Sequence, residues 1–534
     1  MLLGAGSLTL AACNDFLDEL PDNRTELDTP DKINRLLVSA YPSRSFTRMC
    51  EIASDNCDDM GANNPNTSLL LEHNSYWMDM NEAENDSNKN TWQAYYSAIA
   101  AANTALEAIE KQGTPKELLP AKAEALLCRA YSHFCLTVGV PYMEAPETTL
   151  NPVYHRDNLK EVYEKIDRDI EEALPLVSDA NYAVPKYHFN RSAAYAFATR
   201  FNLYYLKWEK VVEYASEVLG SAPSTVMRDW AAVKQLAWDG SVRTLDYISV
   251  GHSFNLLMIP MVTGNGSLFN AWSNSGARFT HNYRVAKRET YRAKRPMGGP
   301  WDRWKDNCIE KVYQHPPFIW QDNDVNKIYM PKWPNQWEVT DPVTGVGIGR
   351  STMVAFTTNE TVLSRAEAYV HLKEYDKAVA DLNAWIGSFY LVGQNGIESL
   401  TRERIAEVYG DPSSDRYIAE YTALEPTSRK PLHPHGFTVE AGEQEHLIQT
   451  TLFCRRIETI ADGLRWGDIK RYGIVIDRFD DSAYNDDNTT GFTVAATLGE
   501  KDLRRALQLP QEVITAGLEA NPRNENRPDH PFCQ

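Results

Sequence analysis

Four clusters in this sequence hold side chains that chemistry could use. The run DNCDD brings Asp55, Asp58 and Asp59 together; such carboxylates could hold a weakly bound calcium, supply half of a glycosidase acid pair, or sit solvated in a loop. The HPHG stretch and His446 offer imidazoles, but Pro434 between His433 and His435 rules out helical i, i+4 ligation and no Cys or acid completes a set. From Arg278 to Lys305, nine Lys or Arg accompany two acids, Glu289 and Asp302. That stripe is either solvated or partner-facing, or it binds an anionic ligand such as a uronate-containing or sulfated glycan through guanidinium forks. Six of the 13 tryptophans (Trp272, Trp301, Trp304, Trp320, Trp333 and Trp337) fall where no long apolar helix is available to bury them. A Trp ring is flat and apolar with one donor, which suits the C–H face of a pyranose while Asn, Asp and Arg read the hydroxyls. No GxSxG, HExxH or Cys–His signature occurs, so no catalytic residue, metal or cofactor is assigned.

The elements that must position these groups are mostly helical. Residues 118–140 carry apolar side chains at three- and four-residue spacing with Ala at close-packing points, and 158–177 repeat the pattern from a good N-cap, Asn158, to Pro175. Residues 190–220 read as two helices joined near Lys207 and closing at Gly220. In 359–387, Ala366, Tyr369, Tyr375, Ala378 and Leu382 fall where a tetratricopeptide repeat places its packing residues. One repeat cannot bury its own face, so the pairs, the first near 91–140, must stack despite the long inserts between them. The partner of 158–177 is not evident. The largest insert, 221–358, reads as short strands and turns; its DPVTGVGIG opens no helix and is no phosphate loop. The expected fold class is mostly α, a scaffold of tetratricopeptide-like helix pairs with loop-rich inserts carrying short strands.

The 534 residues carry a formal charge of −19, which argues against a nucleic-acid partner. Eight scattered cysteines make no CxxC, and Cys128 and Cys135, two helical turns apart, lie about 10 Å from one another, so buried free thiols are expected. Cys13 differs: Leu2 to Ala12 has the length of a signal h-region and ends Leu-Ala-Ala before it, which resembles a bacterial lipobox lacking its basic n-region. Acyl chains on Cys13 would anchor the protein to a membrane without embedding it.

Three stretches carry a more specific resemblance. RRIETIADGLRWGDIKRYG (455–473), LQLPQEVITAGLEANP (507–522) and CNDFLDELP (13–21) together resemble the late signature, closing segment and mature N-terminus of the SusD/RagB family. In the first, Arg455, Arg456, Glu458, Gly463, Arg465, Trp466, Asp468, Lys470, Arg471 and Gly473 match in order. Its residues read as a fold-stabilising ion network, with Trp466 on an apolar seam and Gly463 at a bend.

The resemblance implies a surface lipoprotein of a Gram-negative outer membrane that binds a glycan and passes it to a SusC-like TonB-dependent transporter, without catalysis. It also implies an aromatic platform built from early loops and the middle insert. Candidate platform residues are Trp77, Trp272, Tyr283, Trp301, Trp304 and Trp320. The expected organisation is a signal remnant (1–12), a lipidated tether (13–29) and one domain (30–534) with helical repeats at about 91–220 and 359–387 and a ligand-facing insert at about 221–358. A protein-binding repeat scaffold and a surface glycoside hydrolase are the alternatives.

Overall fold

The helices begin where the sequence supplies caps. The computed structural model describes residues 26–523 apart from 63, 65–66, 82–83, 137–142, 145–155, 181, 270–276, 302–310, 315–317, 321–326 and 483–491, with backbone alone at 318–320, 327 and 329. The Ser87 hydroxyl accepts from Asn90 N at the head of α1 (Asn88–Lys111), and α2 (Leu119–Cys135) follows. At α3 (Leu159–Ala173) the capping box is complete: Asn158 Oδ1 accepts from Glu161 N at 2.9 Å and the Glu161 carboxylate from Asn158 N at 3.2 Å. Asn190 caps α4 (Arg191–Tyr204); α5 (Trp208–Leu219) follows a turn in which Leu206 has φ +62°. Gly220, at the same φ, ends α5 as the sequence suggests. The Thr357 hydroxyl caps α6 (Thr358–His371), which is followed by α7 (Tyr375–Phe389), α8 (Glu443–Glu458) and α9 (Arg465–Arg471).

Small residues let these helices close on one another. Ala193, Ala194, Ala196 and Ala198 are buried along α4, as are Ala366, Ala378 and Leu382 at the α6–α7 seam. The partner of α3 is α2, whose Arg129 donates from Nε and Nη2 to both Asp169 oxygens at 2.7 and 2.9 Å. Contacts then run α4 to α5, α5 to α6, and α6 to both α7 and α8, so pairs far apart in sequence share one core. The mostly helical expectation holds.

The strands are short: β1 (Asp58–Asp59), β2 (Asn255–Val262), β3 (Phe279–Thr280), β4 (Phe318–Trp320), β5 (Lys327–Tyr329), β6 (Gln336–Asp341), β7 (Val346–Thr357), β8 (Ile476–Asp480) and β9 (Thr493–Leu498). They form sheets ordered β3-β1-β8-β9, β2-β7-β6 and β4-β5. DPVTG is the turn between β6 and β7: Asp341 Oδ1 accepts from Val343 N and Thr344 N, and Gly345 takes φ +71°.

The centre is ionic, and it overturns one expectation and narrows another. DNCDD is neither a calcium loop nor solvated, because Asp55, Asp58 and Asp59 are buried and each faces a guanidinium. Asp55 accepts from Arg465 at 2.8 and 2.9 Å, Asp58 from Arg284 Nε at 2.6 Å, and Asp59 from Arg278 at 2.7 and 2.8 Å. Burial alone would raise the Asp55 pKa, but Arg456, Arg465 and Lys430 outweigh it and hold the carboxyl well below the usual range. Much of the basic stripe is likewise turned inward, although Lys287, Arg288 and Lys294 stay half-buried. Arg278 and Arg284 are committed to these acids, Arg292 is buried, and Arg295 donates to the carbonyls of Tyr291, Gly298 and Pro300. Arg303 and Lys305 lie outside the described residues.

The 455–473 signature is the other half of this network. Arg455 and Arg471 both donate to Asp468, and Arg471 also to Glu367 on α6. Arg456 donates to Asn56 Oδ1, Glu289 and the Asp55 carbonyl. Most of its partners are distant in sequence rather than one turn away. Gly463 takes φ +73°, and a Cβ there would sit 2.8 Å from the Thr47 carbonyl oxygen.

Candidate ligand-binding surface

An aromatic side chain can hold a sugar only if one ring face is open to solvent. Trp77 fails that condition: it is 3% exposed, has φ +56°, and donates its Nε1–H to the Ala53 carbonyl at 2.8 Å. Tyr283 fails it too, at 4% exposure with the Arg292 guanidinium 4.9 Å from its ring centroid. Both are core residues, which corrects their assignment to a platform. Loop position alone does not keep a ring in water when ordered turns fold over it. Trp301 is half-buried, with the Lys294 ammonium 5.1 Å over its ring. Lys294 also donates to the carbonyls of Asp415 and Tyr417, which fixes it at that ring. Trp272, Trp304, Cys13 and the Trp320 side chain lie outside the described residues; the Trp320 backbone is in β4.

The β6–β7 hairpin carries an open ring of the kind that Trp77 and Tyr283 lack. Trp337 is 64% exposed, and Val339, Val343 and Val346 beside it are also exposed. Register places Trp337 opposite Gly349 and Val339 opposite Gly347. Alternation along a strand therefore puts the indole, Val339 and both glycines on one face. With no side chain on β7 there, the indole settles over Gly347, where an added Cβ would lie 2.6 Å from its Nε1. The nitrogen edge of the ring thus lies against the β7 backbone while most of the side chain remains in solvent. Among the described residues no protein acceptor takes the Trp337 Nε1–H, so the donor remains for a ligand. The Glu338–Arg350 ion pair sits on the opposite face of the hairpin and stiffens it.

The sequence held a signal for this site. Trp337 and Val339 alternate ahead of a DPVTG turn whose far side reads Gly347-x-Gly349, the pattern of a hairpin with one aromatic-over-glycine face.

The imidazoles do not assemble a metal site. His433 Nδ1 faces Glu500 at 3.1 Å, whereas His446 packs on the Tyr409 ring at 5.8 Å. Among the described residues, no group of three or more His, Cys, Asp or Glu is placed to hold an ion. The acids of DNCDD, held by guanidinium groups, are not poised for acid–base work. No helix among the described residues is long and apolar enough to cross a membrane.

Comparisons with known proteins agree with this architecture. Residues 15–203 match the SusD-like family model described as starch-binding and associating with the outer membrane. A SusD superfamily protein from Bacteroides thetaiotaomicron VPI-5482 is 16% identical at TM-score 0.58, with 92% of this chain and 98% of that one covered. A SusD-like protein from Bacteroides fragilis NCTC 9343 is 15% identical at TM-score 0.61, over 95% and 99% of the two chains. A SusD-like carbohydrate binding protein from Bacteroides vulgatus ATCC 8482 is 16% identical at TM-score 0.50, over 88% of each. No curated protein sequence matches the chain. The solved structures thus share a fold with this chain over nearly its whole length.

Proposed function

We propose that this SusD-like protein is a cell-surface glycan-binding lipoprotein, held to the outer membrane through acylated Cys13, that captures oligosaccharide for a SusC-like TonB-dependent transporter. The observation that carries the binding reading is Trp337, an open indole laid on a glycine-paved hairpin in the insert where an aromatic platform is expected. A pyranose stacked on that ring buries its C–H face, and the Nε1–H supplies a hydrogen bond. The description attached to the family model and the carbohydrate binding named for one structural neighbour support the same ligand class.

Binding leaves the glycan intact in this reading, because the acids nearest to a catalytic pattern are locked in ion pairs. Calorimetry or gel retardation over a panel of neutral and anionic glycans tests it directly. Saturable binding of at least one glycan, with no reducing ends released, is the expected result. A panel with no binder, or release of reducing ends by the purified protein, would overturn it.

A further inference from the structure

A second site, a deep cavity open at one end, lies between the helix pairs and the late signature. It is a cavity of about 890 Å³ walled by Tyr95, Tyr131, Phe134, Tyr163, Tyr204 and Trp466, from α1, α2, α3, α4 and α9. Pockets of this size take drug-sized molecules. Its mouth is at the surface, where the exposed Leu159 and Lys160 at the start of α3 face His435 and Gly436 of the HPHG stretch. The motif that failed as a metal site therefore forms the rim of an entrance.

The chemistry of the wall selects its occupant. Four of its charged groups are committed to protein partners: Arg200 donates to Glu360 and the Ala355 carbonyl, Arg471 to Glu367 and Asp468, Asp462 accepts from Lys332, and Glu458 accepts from Trp385 Nε1. The Thr459 hydroxyl donates to the Arg455 carbonyl. With those charges engaged and aromatic rings making up much of the remaining wall, an apolar guest gives up less hydration on entering than a sugar would. The rings, by contrast, meet edge to face, Phe134 on Tyr204 at 5.4 Å and 83°, and the same geometry extends to an aromatic guest. An apolar void of this size lacking atoms to touch forfeits dispersion on every wall.

We propose that this cavity binds an uncharged, apolar molecule built of two or three aromatic rings, at a site separate from the glycan-binding hairpin. Two thiols report on it, because Cys50 and Cys135 line the cavity and Cys454 is buried elsewhere.

The test titrates the full protein with N-phenyl-1-naphthylamine, an uncharged two-ring amine bearing a third ring. Saturable one-to-one binding in the range of about 1–10 µM is expected. The filling substitution Cys135→Phe should weaken it by about tenfold or more. Binding that never saturates, or that is equal in the folded variant, would overturn the proposal. Should Cys135→Phe not fold, the wild type decides: bound amine must slow maleimide labelling of Cys50 and Cys135 relative to Cys454, and equal rates count against the site. Trp337→Ala should leave amine binding unchanged, so failure of the glycan reading and failure of this one are read separately.

Discussion

The Arg465 guanidinium holds both carboxylate oxygens of Asp55, at 2.8 and 2.9 Å, across a sequence separation of 410 residues. Both side chains are buried, and Arg456 and Lys430 crowd the same acid. Replacing the acid strips Arg465 of its carboxylate partner and leaves Arg456 and Lys430 to share Glu289 alone. Asp55→Asn should therefore lower unfolding free energy by about 3–5 kcal/mol, read from urea denaturation. A loss below about 1 kcal/mol would show that the network is not what closes the fold.

Trp337 makes the opposite kind of prediction. Its side chain is exposed and supports no core, so Trp337→Ala should change stability by less than about 0.5 kcal/mol. Its glycan affinity should fall about tenfold or more, the scale of one lost stacking contact with its hydrogen bond. Calorimetry on the glycan found by the panel supplies the measurement.

Salt separates the hairpin from the basic stripe. Arg278, Arg284 and Arg295 are spent on internal partners, so glycan binding should not depend on them. Affinity should vary less than about twofold between about 0.05 and 0.5 M NaCl. A steep decline would return the anionic-ligand expectation to favour.

Burial pushes the imidazole pKa values of His133 and His281 down to about 3 and that of His371 to about 4. Below the ordinary histidine value of about 6.5 the unfolded chain takes up protons that the native state refuses, so stability falls as pH drops from there toward 3–4. Glu51 works against this. Burial raises its carboxyl to about 7, so between about pH 4.5 and 7 the native state holds a proton that the unfolded chain has lost. That contribution grows as pH falls. Glu51→Gln should remove the offset and steepen the loss of Tm between about pH 6.5 and 4.5. A slope equal to that of the wild type would contradict a raised Glu51 pKa.

Anchoring is tested on cells. Cys13→Ser should move the protein from the membrane fraction to the soluble one while glycan affinity stays unchanged, and retention of the variant in membranes would remove the lipid assignment.

What could be read in the sequence was what is local. Asn158 and Glu161 lie three residues apart, and their capping box, like the two-helix reading of 190–220, follows from spacing alone. That 455–473 forms an ion network was legible, but its partners were not, because they are hundreds of residues away. DNCDD looks solvated until Arg465, Arg284 and Arg278 are seen against it. For the platform, the concentration of tryptophans was legible, but which ring stays open was not. Trp77 is drawn in by the Ala53 carbonyl, and Trp337 is held out by a hairpin whose glycines sit on the opposite strand.

The position of β1 has a consequence for how the chain is made. Asp59 pairs with Phe279 on one side and Asp480 on the other, and Arg478 donates to the carbonyls of Ile52, Ala53, Ser54 and Ser75. At about 5–20 residues per second, a ribosome delivers those late partners roughly 20–80 s after residue 59 emerges. Through that interval the early segment has no lasting native home, and contacts of such separation close slowly once available. A fragment ending before Arg455 should thus be a client for holding chaperones rather than a smaller folded protein.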